Sequence, residues 1–247
     1  MMRYYRKVSF FNVCETWFNY QYKVFDVFRL NVFKDLKDAR KKMIPAVKVI
    51  SHTVELNLKQ PADTIFANFS SDIRRKARKA EGEGTICYFH NDVDKFVTFY
   101  NDFARRKKTY VTSKTKMTEF GNYVKMSFAE HNGEVLAAHS YLVDTEMKIV
   151  TGLHSGTTRL KQDSDASLVG RAHKLLVIKD IIYFKDLGFE VFDFGGYSYN
   201  TEDESLKGIN SFKLSFGGKV VPCINYYSYG YWLLKKVSKL FGLSGTL

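Results

Sequence analysis

Alternating and helical patterns of apolar positions divide most of the chain into predicted elements. Apolar side chains alternate with polar ones over 47–58, which predicts a strand. After Pro61 they recur every three or four residues as far as Ala80, which predicts a helical region whose second segment Ser71 caps. A similar apolar stripe over 91–108 predicts another helix.

The strongest local signal is a hairpin. Two alternating segments flank Asn132-Gly133, a dipeptide that favours a tight turn between antiparallel strands, and 146–157 adds a third strand. The following segment, 166–188, is apolar around most of its circumference, which predicts a largely buried helix. The other predicted elements are strands at 22–33, 85–90, 190–194 and 219–227 and helices at 116–124 and 205–216.

This order of elements predicts an α+β fold, a three-layer arrangement in which helices cover both faces of a mixed β-sheet. We expect three regions: an N-terminal segment of two strands and a basic helix (1–84), a core (85–230), and a basic amphipathic tail (231–247). The tail can either contact an anionic membrane or dock on its own domain, and we favour docking.

Charge narrows the class of partner. The net charge of +12 favours an anionic partner, such as a nucleic acid, a phosphorylated co-substrate or a lipid surface, although a solvated basic surface also explains it. The three cysteines are far apart and form no metal-ligand pair. The short apolar stretch near the N-terminus is broken by Asn12 and Glu15, so we expect no signal peptide and a cytoplasmic protein.

Two double glycines carry the most specific motif. "DFGG" (193–196) ends a predicted strand, and "FKLSFGG" (212–218) follows about twenty residues later. Together with the basic "SDIRRKARKAEGEG" (71–84), these motifs resemble the Fem-type branch of the GNAT acyltransferases, over roughly 50–226. That branch contains bacterial peptidyltransferases that add amino acids to peptidoglycan precursors.

The resemblance implies an N-acyltransferase of cell-envelope biogenesis. It would move an acyl or aminoacyl group from acyl-CoA or aminoacyl-tRNA, used as a co-substrate, to an amine on an amino sugar or envelope precursor. No tightly bound cofactor and no metal is expected. Two departures stand out: only a truncated first Fem-type half fits into 1–84, and 159–170 ("RLKQDSDASLVG") lacks the usual GNAT pyrophosphate loop.

Asp193 and Lys213 are the candidate catalytic residues. Asp193 lies at the carboxyl end of its predicted strand, where ligands of open sheets bind, and Gly195 and Gly196 would let a substrate approach the backbone. The carboxylate could accept a proton from the attacking amine or simply cap the loop. Lys213 could stabilise an oxyanion, hold a phosphate, or extend into solvent from the edge of an apolar stripe.

Candidate binding residues lie elsewhere along the chain. A cationic cluster on the predicted helix suits phosphates or tRNA, or is a solvated face; it comprises Arg74, Arg75, Arg78 and Lys79. Tyr197 and Tyr199 could line an acceptor pocket or be loop aromatics, and His173 could bind substrate or be a buried, hydrogen-bonded histidine. His139 and His154 could face the cleft.

A second hypothesis explains the charge and the tyrosines equally well: a non-catalytic RNA-binding module on a GNAT scaffold. It does not explain why a lysine and an aspartate should meet near two double glycines. An inactive scaffold protein is the third possibility.

Overall fold

The computed structural model describes residues 2–8, 11–18, 29–36 and 46–240. The chain forms two compact units, one of residues 54–220 and one of residues 1–53 with 221–247. The strands of the described residues are β1 (Arg3–Val8), β2 (Phe11–Trp17), β3 (Asn31–Leu36), β4 (Ala46–Asn57), β5 (Ile86–Phe89), β6 (Val124–His131), β7 (Glu134–Asp144), β8 (Ile149–Thr157), β9 (Val191–Tyr197) and β10 (Lys219–Ser228). The α-helices are α1 (Ala62–Asn68), α2 (Ser71–Gly82), α3 (Val93–Lys107), α4 (Lys114–Glu119), α5 (Ala166–Asp186), α6 (Glu204–Leu214) and α7 (Tyr229–Leu240).

A mixed sheet forms the centre of the larger unit. Its strand order is β4-β9-β8-β7-β6-β5; the run from β5 to β8 is antiparallel, whereas β8 and β9 are parallel. The Asn132-Gly133 turn joins β6 and β7, and both residues have positive φ angles, as a tight hairpin requires. The predicted meander and the mixed α+β sheet are therefore confirmed.

Helices cover both faces of this sheet. Phe96 of α3 packs on Phe128 of β6, and the next residue, Ala129, joins a cluster with Ala172 and Leu176 of α5. Because successive side chains of a strand point to opposite faces, α3 and α5 lie on opposite sides of the sheet. The nine buried residues of α5 confirm that this helix is largely buried.

Several element bounds differ from the predicted ones. Ser70, not Ser71, caps α2: its Oγ accepts a hydrogen bond from the backbone N–H of Ile73 at 3.3 Å. The helix predicted at 116–124 begins earlier, as α4, and is followed by a 3₁₀ turn at Gly121–Tyr123. The described part of 1–84 contains four strands where two were predicted, because β1 and β2 lack a clean alternation of apolar residues. Part of the strand predicted at 22–33 lies outside the described residues.

The smaller unit contains the strand order β1-β2-β3-β10, in which β2 and β3 are parallel. Tyr231 of α7 is buried against Val13 and Val32, so the described start of the predicted tail docks on its own unit. Residues 241–247 lie outside the described residues. The boundaries predicted at 84/85 and 230/231 stay predictions. Across the residues that the structure describes, no helix is long and apolar enough to cross a membrane.

Candidate active site

A cleft of about 620 Å³ opens in the larger unit at the carboxyl ends of β8 and β9. The last register pair of these two parallel strands is Thr151 with Asp193, and the residues beyond it in both strands, 152–155 and 194–196, line the cleft. Side chains of α3, α5 and α6 complete the walls. Such a position, outside the carboxyl ends of parallel strands, is where open α/β sheets bind ligands, and the volume suits a small-molecule site.

The Asp193 side chain lies behind the cleft wall and bonds to its backbone. It is fully buried, is not part of the cleft lining, and accepts a 2.7 Å hydrogen bond at Oδ1 from the backbone N–H of Gly195. The alternation of β9 explains this orientation, because the flanking Phe192 and Phe194 point into the cleft lining. The structure thus gives Asp193 the loop-capping contact that was one of its two predicted roles.

The backbone conformation at position 195 requires a glycine. Gly195 has a φ of +76°, and a Cβ there would lie 2.8 Å from the carbonyl oxygen of Gly152 in β8. Gly196 has open space around it. The carbonyls of Gly195 and Gly196 therefore stand at a fixed position on the rim of the cleft.

Lys213 of α6 reaches these two carbonyls. Its Nζ donates to the oxygens of Gly195 at 2.9 Å and Gly196 at 2.5 Å, and the side chain lines the cleft. Burial lowers the pKa of Lys213 to about 8, against a smaller raising effect of the Asp193 carboxylate. The double glycine, Asp193 and Lys213 are thus brought together, as the spacing of the two motifs predicted.

His173 lies in the cleft wall and is neutral. Burial, His139 and Lys174 hold its pKa well below its usual range. Its ring stacks on Phe212 at 4.8 Å, and its Nε2 lies 3.3 Å from the hydroxyl of Ser155. The ring is half-buried, lies within hydrogen-bond distance of Ser155 and lines the cleft.

A buried polar cluster beside His173 was not predicted. The carboxylate of Asp180 in α5 lies 2.7 Å from His139 Nδ1 and accepts a 2.6 Å hydrogen bond from the hydroxyl of Tyr141. His139 and Tyr141 line the cleft. The sequence carries one signal for it, since Asp180 is an acidic residue inside the apolar run "LLVIKDIIYF" (175–184).

The remaining predicted residues lie outside the cleft lining. Tyr199 is 61% exposed, and Tyr197 is half-buried. In α2, Arg75 pairs with Asp72 at 2.9 Å, and Lys79 lies 3.8 Å from Glu83. Arg74 donates to a backbone carbonyl of α1, and Arg78 lies over the ring of Phe66. The structure thus does not bring the basic cluster into the cleft.

The cleft itself is cationic. Four basic side chains line it, and none of the described lining residues is Asp or Glu. These four are Lys107, Arg159, Lys174 and Lys213. Among the residues that the structure describes, no group of His, Cys, Asp or Glu side chains is arranged to hold a metal ion. The lining therefore favours an anionic organic ligand.

Comparison with known proteins rests on structure. No family model and no curated protein sequence matches the chain. It superposes on FemX with a TM-score of 0.66 at 9% identity, covering 94% of this chain and 85% of FemX. The chain therefore shares the fold of FemX.

Two related structures extend this comparison. The L-PGS of Bacillus licheniformis aligns with a TM-score of 0.59 at 12% identity, covering 91% of this chain and 80% of that one. A DUF2156 domain from Agrobacterium fabrum, the C-terminal domain of a protein assigned as a lysylphosphatidylglycerol synthetase, aligns with a TM-score of 0.61 at 11% identity. It covers 99% of this chain and 86% of that domain. At these identities the similarity is one of fold.

Proposed function

We propose that the chain is a cytoplasmic enzyme that transfers an acyl or aminoacyl group to an amine. The position of Lys213 carries this proposal. An ammonium group has three N–H donors, and the carbonyls of Gly195 and Gly196 accept two of them. The third can reach a ligand in the cleft, where a fixed cation stabilises the oxyanion that forms when an amine attacks an acyl carbon.

The charge state of Lys213 fits this role. With a pKa lowered to about 8, most of the lysine is still cationic at pH 7. Two carbonyl acceptors hold its amine in place before any substrate arrives, so little reorganisation accompanies the reaction. Asp193 acts in this scheme as a positioning residue, because it fixes the N–H of Gly195 and does not line the cleft.

The donor is anionic, and we favour aminoacyl-tRNA over acyl-CoA. The amino end of the central helix of a GNAT fold is the place where a pyrophosphate would be expected to bind, because its free N–H groups attract anions. Here the Asp165 carboxylate occupies those groups and accepts from the N–H groups of Ser167 at 2.8 Å and Leu168 at 3.0 Å. A pyrophosphate would meet a negative charge there.

The acceptor is an amine on an amino sugar or another cell-envelope precursor. This part rests on the motifs shared with the Fem-type branch and on the fold of FemX, together with the fold of a domain assigned to lysylphosphatidylglycerol synthesis. Arg74, Arg75, Arg78 and Lys79 are proposed to contact phosphates of the donor outside the cleft, since Arg78 and Lys79 are exposed. Tyr197 and Tyr199 are proposed to contact the acceptor.

A thermal-shift comparison tests the class of donor. We expect aminoacyl-tRNA to raise the melting temperature in a concentration-dependent way and acetyl-CoA to leave it unchanged. Lys174→Glu, in the cleft lining, should weaken the tRNA effect about tenfold. The matched control is Lys179→Glu, which lies in the same helix but outside the lining. A shift with acetyl-CoA alone, or equal effects of the two variants, would contradict the assignment of the donor.

A further inference from the structure

A hydrogen-bonded triad crosses from the sheet to the buried side of α5. Asp180 Oδ2 lies 2.7 Å from His139 Nδ1 and 2.6 Å from the hydroxyl of Tyr141, and the Tyr141 hydroxyl lies 3.0 Å from His139 Nδ1. All three residues are less than 5% exposed. Burial and the Asp180 carboxylate raise the pKa of Tyr141 well above its usual range, so its hydroxyl keeps its proton and donates to Asp180.

Two polar atoms of this triad have no hydrogen-bond partner among the described residues. His139 Nε2 and Asp180 Oδ1 are buried, and no described group bonds to either atom. Leaving a buried polar atom without a hydrogen bond destabilises the folded protein. A purely structural cluster would have been expected to satisfy both atoms. The free imidazole nitrogen therefore points to a function in which this atom receives a ligand group.

The hydrogen bonds select the tautomer of His139. Oδ2 of an ionised Asp180 can only accept, so His139 Nδ1 carries the proton that this bond requires. In a neutral ring protonated at Nδ1, Nε2 bears a lone pair and can accept a proton. These are the properties of a general base.

The triad belongs to the same cleft as Lys213. His139 and Tyr141 are lining residues, and the His139 ring lies 5.0 Å from the ring of His173. His173 in turn stacks on Phe212, the residue before Lys213. His139 and Lys213 thus line the same cleft.

We propose that His139 is the general base of the acyl transfer and that Asp180 is its positioning residue. This rests on the proposed function. The acceptor ammonium first releases one proton to solvent, its amine nitrogen forms a bond to the acyl carbon, and Nε2 then takes the second proton from that nitrogen. The bond from that carbon to the oxygen or sulfur of the donor breaks. The leaving atom takes the proton from His139, so the products are an amide and the free donor hydroxyl or thiol.

The other candidates fit less well as the base. Asp193 is buried outside the lining, and its Oδ1 already accepts from Gly195. His173 lies within hydrogen-bond distance of Ser155 through Nε2. Of these three residues, His139 is the one that lines the cleft and has a ring nitrogen to which no described group bonds. Because that nitrogen is buried, the acceptor amine reaches it only when the side chains that cover it move.

The first test needs no substrate. NMR spectra of the ¹⁵N-histidine-labelled protein are recorded at pH 7.5, and the signals lost in His139→Gln are assigned to His139. They should show a ring that is protonated at Nδ1 and unprotonated at Nε2. Its Nδ1 proton should resonate far downfield because of the charge-assisted bond and move upfield in Asp180→Asn. A protonated Nε2, or an Nδ1 proton that Asp180→Asn does not move, overturns the proposal.

The second test is turnover with aminoacyl-tRNA and an amino-sugar acceptor. His139→Gln should lower kcat about 10²- to 10⁴-fold with KM unchanged, and Asp180→Asn at least about tenfold. The control His90→Gln, an exposed histidine outside the lining, should leave kcat unchanged. Equal kcat in His139→Gln and wild type overturns the base while the proposed function stands. If the wild type itself fails to turn over, the proposed function fails, and the tautomer alone decides whether His139 is a poised base.

Discussion

Replacing one glycine of the double glycine should damage the protein far more than replacing the other. Alanine at position 195 must adopt a φ of +76°, which costs a non-glycine residue about 1–2 kcal/mol. Its Cβ would also lie 2.8 Å from the carbonyl oxygen of Gly152, a backbone atom that cannot move without shifting β8. Overpacking of this kind costs about 1–3 kcal/mol.

The sum for Gly195→Ala is a loss of about 3 kcal/mol in the free energy of unfolding, and a fall in the melting temperature of about 6–12 °C. Gly196→Ala is the matched control, because no atom lies within 4 Å of the Cβ that alanine would add there and its φ is not in the left-handed region. We expect Gly196→Ala to change stability by less than about 0.5 kcal/mol.

Thermal unfolding followed by circular dichroism measures the stability of each variant. Hydrogen exchange of peptides covering 149–157 and 191–197 measures how far β8 and β9 are loosened locally. Faster exchange in both peptides is expected for Gly195→Ala only. Turnover should fall as well, because the carbonyls that hold Lys213 move. Equal melting temperatures and equal exchange in the two variants would refute the claim that Gly195 is fixed by β8.

The described contacts lead to four further predictions. If the Lys213 cation stabilises the oxyanion, kcat should fall as pH rises through about 8; a profile that is flat to pH 10 would contradict this role. Between pH 8 and 10.5 the folded protein has lost the Lys213 proton while the unfolded chain still keeps it. The free energy of unfolding in chemical denaturation should therefore increase as the pH rises from 8 to 10.5. Ser70→Ala should cost about 1 kcal/mol in chemical denaturation, whereas Ser71→Ala should not, and the reverse order would show that the cap is misassigned. Partial burial raises the pKa of Cys87 to about 12, so native protein at pH 8 should resist iodoacetamide at Cys87; rapid alkylation there would contradict the raised pKa.

The sequence predicts the centre of the fold well because its signals there are local. Asn132-Gly133 specifies the hairpin, and the apolar circumference of 166–188 identifies a buried helix. The sequence does not predict the strands β1 and β2, because Arg3–Val8 is a basic segment in which apolar and polar residues do not alternate strictly. Their pairing with each other, which no local pattern encodes, makes them strands.

The site is predicted in part for a similar reason. The link between the double glycine and Lys213 follows from motif spacing, yet which atoms meet depends on the positive φ of Gly195 and on the direction of α6. Asp180 and His139 are 41 residues apart in the sequence. Only the packing of α5 on β7 makes them partners, so the spacing of residues could not reveal the pair.

The most direct measurement of the central claim is single-turnover amide formation by Lys213→Ala, compared with Lys207→Ala. Both variants remove one lysine from α6, but Lys207 pairs with Glu202 and Glu204 outside the cleft lining. The account predicts a rate about 10²- to 10³-fold lower for Lys213→Ala with donor binding retained, and an unchanged rate for Lys207→Ala. Equal turnover of both variants, with only salt-dependent RNA binding weakened in Lys213→Ala, would contradict it and favour a non-catalytic RNA-binding protein.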